Sequence, residues 1–166
     1  MPRKKSSSVK YGEGDCLAVP LPGGGFAVGL VARVAPGGAV AFGYFFGPRL
    51  HGSPEGLDIN RLRPEDAVLL CRFGDLGIIE GSWRSLGRLL EWRRREWPMP
   101  AFHRLVPLDN RILRVVYRDE NPNSMPKEER ISEQEAANLP RDGLLGSEAV
   151  ERVLGALLSE SRPMHE

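Results

Sequence analysis

The amino-acid sequence predicts an α+β fold: a strongly bent antiparallel β-sheet or small half-barrel with a C-terminal helix packed on it. Three observations support this prediction. Apolar runs of strand length follow one another near the start of the chain and are joined by short Gly- and Pro-rich links. Glycine and alanine recur within those runs, which is typical of strands that are covered on both faces or sharply bent. An apolar stripe at helical spacing lies near the C-terminus.

The first three strands are predicted to form a meander. Residues 15–21 and 26–34 are each long enough for a strand, and the glycine-rich link 22–25 supplies the positive φ angles of a tight turn. Because proline donates no N–H, Pro20 should place the end of the first strand at an edge or a bulge. Residues 39–47 follow a second Pro-Gly-Gly break and predict an aromatic third strand. Small bent meanders of this kind close into barrels or half-barrels.

The middle of the chain carries weaker patterns. Residues 48–64 predict a loop, and the apolar run 67–74 predicts a fourth strand. Residues 78–83 predict a short extended segment. Residues 86–90 hold three leucines at helical spacing, although a glycine among them weakens the helix prediction.

The last third of the chain predicts a second hairpin and two helices. Residues 102–108 and 112–119 flank a polar turn and form the hairpin. Ser132, followed by acidic residues, predicts the N-cap of a short helix. Ser147 is likewise predicted to cap the final helix, whose apolar stripe should dock on the sheet. The stripe comprises Val150, Val153, Leu154, Leu157 and Leu158.

Composition indicates about one globular domain with appended segments. The chain has 166 residues, of which 41% are hydrophobic and 27% are charged. We expect a flexible basic N-terminus at residues 1–10 and an antiparallel β-rich domain at 11–118. A polar linker at 119–131 and a short helical tail at 132–166 should follow.

Three features bear on location and partners. No stretch approaches the roughly 18 consecutive apolar residues of a membrane helix, and serines follow the basic N-terminal cluster where a secretory signal would be apolar. We therefore expect a cytoplasmic protein with no membrane partner. Cys16 and Cys71 lie inside apolar runs, which indicates buried thiols. Residues 1–118 carry a net charge of +7 and residues 119–166 carry −6, so charge could steer a partner or the tail could neutralise the body.

The sequence shows no constellation typical of catalysis, metal binding or phosphate binding. The three histidines lie at positions 51, 103 and 165, and no metal-ligand spacing connects them. The glycines of the first turn lead into no helix, so they lack the N-terminus that binds phosphate. We expect no cofactor, no metal and no enzymatic activity. The alternatives that stay open are His51 acting with Asp58 or Glu55, and a couple between Cys71 and His51.

The segment from Trp83 to Trp97, "WRSLGRLLEWRRREW", combines three tryptophans with five arginines. Such residues can stack on bases and neutralise phosphates, or form the hot spot of a protein interface. The third possibility is that the tryptophans pack in the core. We assign Trp83 to the core. For Trp92 and Trp97 we leave open whether the side chain packs in the core or is partly exposed to a partner. The candidate partner contacts are Trp92, Arg93, Arg94, Arg95 and Trp97, and a secondary acidic set comprises Glu128, Glu129 and Glu133.

Three stretches resemble the immunity protein 26 family of bacterial polymorphic-toxin systems. They are "YGEGDCLAVPLPGGGFAVGLVARV", "FGYFFGP" and "IIEGSWRSLGRLLEWRRREWPMPAF", within residues 11–118. The matching positions are Gly14, Asp15, Pro20, Leu21, Gly29, Trp83, Gly87, Pro98, Pro100 and Phe102.

The resemblance implies an α+β domain with a twisted antiparallel sheet. It also implies an immunity protein that binds and neutralises a cognate toxin by stoichiometric occlusion, with no catalytic residues to carry over. The alternative is a nucleic-acid-binding module on a small barrel, which the modest positive charge of the front domain makes the less favoured interpretation.

Overall fold

The computed structural model describes residues 10–160 of the chain. Nearly all of the predicted basic N-terminal segment 1–10 therefore lies outside the described residues, as does His165. Among the residues described, no helix is both long and apolar enough to cross a membrane.

The predicted meander is confirmed. Strands β1 (Asp15–Pro20), β2 (Phe26–Val34) and β3 (Val40–Leu50) pair antiparallel in sequence order. The turn between β1 and β2 contains glycines with positive φ, as the sequence requires. The edge of β1 that faces away from β2 pairs with residues 84–88, but only from Asp15 to Ala18. No strand therefore pairs with Pro20 on that edge. The missing N–H of that proline therefore interrupts no ladder.

These strands form the centre of a bent six-stranded sheet. Its order is β5-β1-β2-β3-β4-β9, where β4 is Leu69–Gly74, β5 is Arg84–Arg88 and β9 is Leu144–Leu145. Irregular pairing between β1 and β5 and between β2 and β3 contributes to the bend. The α+β class and the bent sheet are confirmed. The sheet is mixed because β9 joins β4 in parallel, and over residues 10–160 it does not close into a barrel.

Two predictions for the middle of the chain are wrong. Helix α1 (Leu76–Ile79) occupies part of the segment expected to be extended, and it buries the Ile78 side chain. The leucine-bearing segment expected to be weakly helical contains strand β5 instead. Gly87 has a φ of +99°, which a right-handed helix excludes, so the leucine spacing does not become a helix.

The predicted second hairpin is confirmed, and it belongs to a second sheet of three strands. The order is β6 (Phe102–Val106), β7 (Arg111–Val116) and β8 (Lys127–Ile131), with both pairings antiparallel. Strand β8 corrects the linker predicted at 119–131, whose last five residues pair with β7. Charged residues are typical of an edge strand with solvated side chains, so its composition resembled a linker.

The two helices of the tail are confirmed, and the last one packs on the large sheet. Ser132 caps α2 (Glu133–Ala136) by accepting a hydrogen bond from the Glu135 amide, at 3.2 Å. Helix α3 (Ser147–Glu160) buries Val150 and Leu154 completely. The Ser147 hydroxyl serves a different role from the predicted cap. It accepts from the Gly77 amide and donates to the Gly74 carbonyl, which ties α3 to α1 and β4.

Both faces of the large sheet are covered, which explains the small residues within its strands. One core lies between the sheet and the helices α1 and α3, and it includes Cys71 and Trp83. The other lies between the large and small sheets and includes Cys16. Residues 139–145 connect the two sheets, since the His103 amide donates to the Pro140 carbonyl before the chain enters β9. The division into a β-rich domain and a separate tail stays a prediction.

Candidate partner-binding site

The predicted arginine-rich contacts lie in an exposed segment that begins at the last residue of β5. We call residues 88–97 the arginine segment. Its Leu90 side chain is 85% exposed, and the Arg93 side chain is 69% exposed. Arg94 and Arg95 are exposed as well, and Trp92 is half-buried beside them. The structure thus brings four of the five predicted contacts together on the surface.

Trp97 differs from the other four, because its indole lies in the core with only 3% exposure. It packs edge-to-face on Tyr44, with ring centroids 5.1 Å apart, and on Phe46 at 6.1 Å. The Trp92 ring stacks against it at 6.3 Å. The open question about Trp97 is therefore answered in favour of the core. Its indole supports the arginine segment from below, and we no longer assign it a direct contact with a partner.

Gly14 packs closely against the start of the arginine segment. Its φ is +91°, and a Cβ atom there would lie 3.0 Å from Cγ of Trp92 and 3.1 Å from Nε of Arg88. Its carbonyl also accepts a hydrogen bond from the Leu89 amide at 3.0 Å. A side chain at this position would thus be strained twice, by the backbone and by contact.

The end of the segment is fixed by a partly buried ion pair that the sequence did not reveal. Arg33 lies in β2 with 2% exposure, and its Nη2 is 2.9 Å from Oε2 of Glu120. The same nitrogen donates to the Arg94 carbonyl at 3.3 Å, and Glu120 accepts from the Met99 amide at 3.0 Å. We call this pair the Arg33–Glu120 clamp. Because it bonds the backbone at two points, it holds residues 94–99 in place.

The clamp perturbs the pKa of Glu120 and the backbone around it. Partial burial raises the pKa of this carboxyl, but hydrogen bonds from the Met99 amide and the Arg33 guanidinium outweigh it, so the pKa lies below its ordinary value. Asp119 and Glu120 both have a φ of 52°, in the left-handed region. Such strain persists only where surrounding contacts hold it, as the clamp does here.

The three consecutive arginines differ in how strongly they are paired. Arg94 lies 2.9 Å from Glu13 and 3.9 Å from Glu120, so it belongs to the network around the clamp. Arg93 is 3.7 Å from Glu96 at an exposed position. Within the described part of the chain, the Arg95 side chain makes no hydrogen bond or ion pair. Arg93 and Arg95 are therefore the charges most available to a partner.

A cavity lies on each side of the arginine segment. One, of about 660 Å³, is lined by Asn60, residues 62–65, Leu89, Leu90, Glu91, Glu96 and Trp97. The other, of about 570 Å³, is lined by Trp92, Arg88, Val34, residues 11–13 and Asp15. Volumes in this range are typical of sites that receive a ligand or a protruding side chain. The arginine segment is thus a ridge between two depressions.

The secondary acidic set lies on β8 and α2. Glu128 bonds Arg104 at 2.7 Å, and Glu129 lies opposite Arg114 in the register of β7 and β8. Glu133 is the first residue of α2 and is exposed. Part of this acidic surface is thus already engaged within the protein.

A buried polar network around Asp142 stabilises the junction between the sheets. The carboxylate accepts from the Tyr117 hydroxyl at 2.7 Å and from Nη2 of Arg104 at 2.8 Å, and Arg72 lies 3.4 Å away. Burial and the hydrogen bond to Asp142 raise the pKa of Tyr117 to about 12. Because the charged groups of this network pair with one another, we assign it a structural role.

The residues considered for catalysis lie in exposed loops or, for Cys71, in the core. His51 is exposed in the loop after β3, and Asp58 caps a short turn by accepting from the Asn60 amide. Burial raises the pKa of the Cys71 thiol to about 12, which opposes the thiolate that a nucleophile needs. Among residues 10–160, no group of three or more histidine, cysteine or acidic side chains is placed to hold a metal ion.

Comparison with known protein families identifies a match. The family model described as Immunity protein 26 matches residues 12–112 of this chain. No curated protein and no solved structure matches significantly. The matched residues contain Arg33 and the whole arginine segment, whereas Glu120 and the acidic set lie beyond them.

Proposed function

The chain belongs to the immunity protein 26 family, and from this premise we propose that it binds a cognate bacterial toxin and neutralises it by stoichiometric occlusion. Protection of the cell that produces the toxin would take place in the cytoplasm. The arginine segment is the proposed contact surface, and Trp92, Arg93, Arg94 and Arg95 are the proposed contacts.

The observation that carries this proposal is an exposed segment held rigidly from beneath. The clamp bonds its backbone, the Tyr44 hydroxyl donates to the Pro98 carbonyl, and the Trp97 indole anchors it in the core. A surface that is already ordered loses little conformational freedom when a partner binds. Exposed arginine and tryptophan side chains are the residue types that dominate binding energy in protein interfaces.

Local charge favours a protein partner over a nucleic acid. Glu91 and Glu96 lie within the arginine segment, and Glu13 lies next to Arg94. Carboxylates interspersed among the arginines would repel a phosphate backbone, whereas a protein surface can match both signs of charge. This alternation supports the toxin-binding proposal.

The test is protection in cells that express the cognate toxin together with this chain. Arg93→Glu combined with Arg95→Glu should abolish protection, because two available cations become anions at the contact. A matched control reverses the charge of two exposed arginines elsewhere, Arg111→Glu with Arg152→Glu. This control should protect normally, and thermal unfolding of each purified variant checks that all remain folded.

A third variant separates the two candidate surfaces. Glu129→Lys with Glu133→Lys reverses the charge at two of the three positions of the acidic set and should leave protection intact. Loss of protection in this variant alone would move the contact to the acidic set and refute the arginine-segment assignment. Trp97 is left unchanged because truncating a buried tryptophan costs about 3–5 kcal/mol and would confuse stability with binding.

A further inference from the structure

The cavity of about 660 Å³ beside the arginine segment is lined in part by apolar residues, which we call its floor. Leu62, Leu89 and Pro64 are partly exposed members of this floor, and the buried Trp97 also lines the cavity. Because Trp97 and Leu89 belong to the arginine segment, the cavity is continuous with the proposed contact surface. Its volume can accommodate a long side chain and the backbone that presents it.

The charged residues that line this cavity, which we call its rim, have a net negative charge. Glu65, Glu91 and Glu96 lie on it, against a single cation, Arg63. Within the described residues, the side chains of Glu65 and Glu91 make no hydrogen bond or ion pair, and Glu96 has only the 3.7 Å contact with Arg93. Two carboxylates of the rim therefore have no internal cation as a partner in the described part of the chain.

We propose that this cavity receives an arginine side chain from an exposed loop of the toxin. The inference rests on the proposed function, because it identifies a feature of the partner. The methylene stem of the arginine would lie on the leucine and proline floor, and its guanidinium would reach the carboxylates at the rim. The planar guanidinium offers several donors at once, and it sheds water more readily than an ammonium group, so arginine fits better than lysine.

The cavity can be tested without the toxin. The probe is the blocked tripeptide acetyl-Gly-Arg-Gly-amide, titrated into the isotopically labelled full chain at low salt and followed by amide and indole NMR signals. The control peptide carries citrulline in place of arginine, which keeps the shape and removes the charge. We expect saturable shifts at Leu89, Glu91 and the Trp97 indole, with about fivefold weaker binding of the citrulline peptide.

The matched protein variants assign the binding to the rim. Glu65→Gln with Glu91→Gln should lower the affinity for the arginine peptide about fivefold, to the level of the citrulline peptide. Glu133→Gln with Glu148→Gln, two exposed glutamates on other elements, should change nothing. Equal binding of the two peptides, or arginine binding unaffected by the rim variant, would overturn the inference.

The outcome is distinguishable from that of the protection assay. Peptide binding that follows the prediction while the chain fails to protect against its toxin would leave the cavity site standing and refute the function. Protection of the cell without arginine-selective peptide binding would support the proposed function and refute the cavity site.

Discussion

Replacing Glu120 with alanine removes the carboxylate that bonds the buried Arg33 guanidinium. The variant would leave Arg33 with the Ala32 and Arg94 carbonyls and with Glu13 at 3.9 Å. It would also leave the Met99 amide without its acceptor. Because the side chain of Arg33 is almost fully buried, water cannot replace the lost carboxylate efficiently.

The expected loss of stability follows from the burial of the two partners. Breaking a fully buried ion pair costs about 3–5 kcal/mol. Glu120 is 37% exposed and Glu13 remains near the guanidinium, so we expect about 2 kcal/mol. For a chain of this length, that lowers the thermal midpoint by about 4–8 °C. Glu120→Gln keeps the acceptor oxygen and loses the charge, so it should cost about half as much.

The assay is equilibrium unfolding combined with hydrogen exchange. Glu96→Ala provides the control, because this glutamate pairs with Arg93 at exposed positions and should change stability by less than about 0.5 kcal/mol. Exchange of the Met99 amide should accelerate in Glu120→Ala beyond what the global loss of stability explains. Equal stability of Glu120→Ala and Glu96→Ala would refute the account of the clamp.

The same pair predicts a dependence on pH. The pKa of Glu120 is lower in the folded state than its ordinary value of 4.5. Its charged form therefore stabilises the fold at pH above 4.5, and this contribution is lost as the pH falls through the folded-state pKa. The difference in free energy of unfolding between the unchanged chain and Glu120→Gln should be constant near pH 7 and should disappear in acid. An advantage that persists at low pH would contradict the proposed charge contribution.

Two further predictions concern the core. Gly77→Ala should cost about 2 kcal/mol in denaturant unfolding, because a Cβ there would lie 2.8 Å from the buried indole of Trp83. Gly143→Ala, which meets nothing within 4 Å, should be neutral, and equal losses in the two variants would contradict the packing argument. Iodoacetamide at pH 8 should leave Cys16 and Cys71 unlabelled until guanidinium unfolds the chain, since burial raises the pKa of both thiols to about 12. Rapid labelling of the folded protein would show that these thiols are accessible.

Local patterns were sufficient to predict the meander, the second hairpin and the final helix. Each depends on neighbours in sequence: glycine turns between apolar runs, or an apolar stripe at helical spacing. Strand β5 was missed because its leucine spacing suggested a helix, while the positive φ of Gly87 depends on the pairing with β1. Strand β8 was missed because its charged side chains are compatible with solvent on an edge, and only pairing with β7 makes it a strand.

The sequence predicted which residue types form the candidate site, but not the contacts that hold them in place. Arginine and tryptophan clustering located the arginine segment, yet the burial of Trp97 depends on aromatic residues of β3. The clamp joins residues 87 positions apart. A hint was present, since Arg33 is a charged residue within an apolar strand, but Glu120 lies in a polar stretch that carries no signal of its own.

Titrating the activity of the cognate toxin with purified chain tests most directly whether this protein acts by binding. We expect toxin activity to fall linearly to zero at a fixed molar ratio, and Arg93→Glu with Arg95→Glu to weaken the interaction at least about 30-fold, the effect of losing a hot spot. Toxin recovered from the complex by denaturation and refolding should be chemically unchanged and fully active. Inactivation of excess toxin by a small fraction of an equivalent, with a covalent change in the toxin, would contradict occlusion and reveal an enzyme.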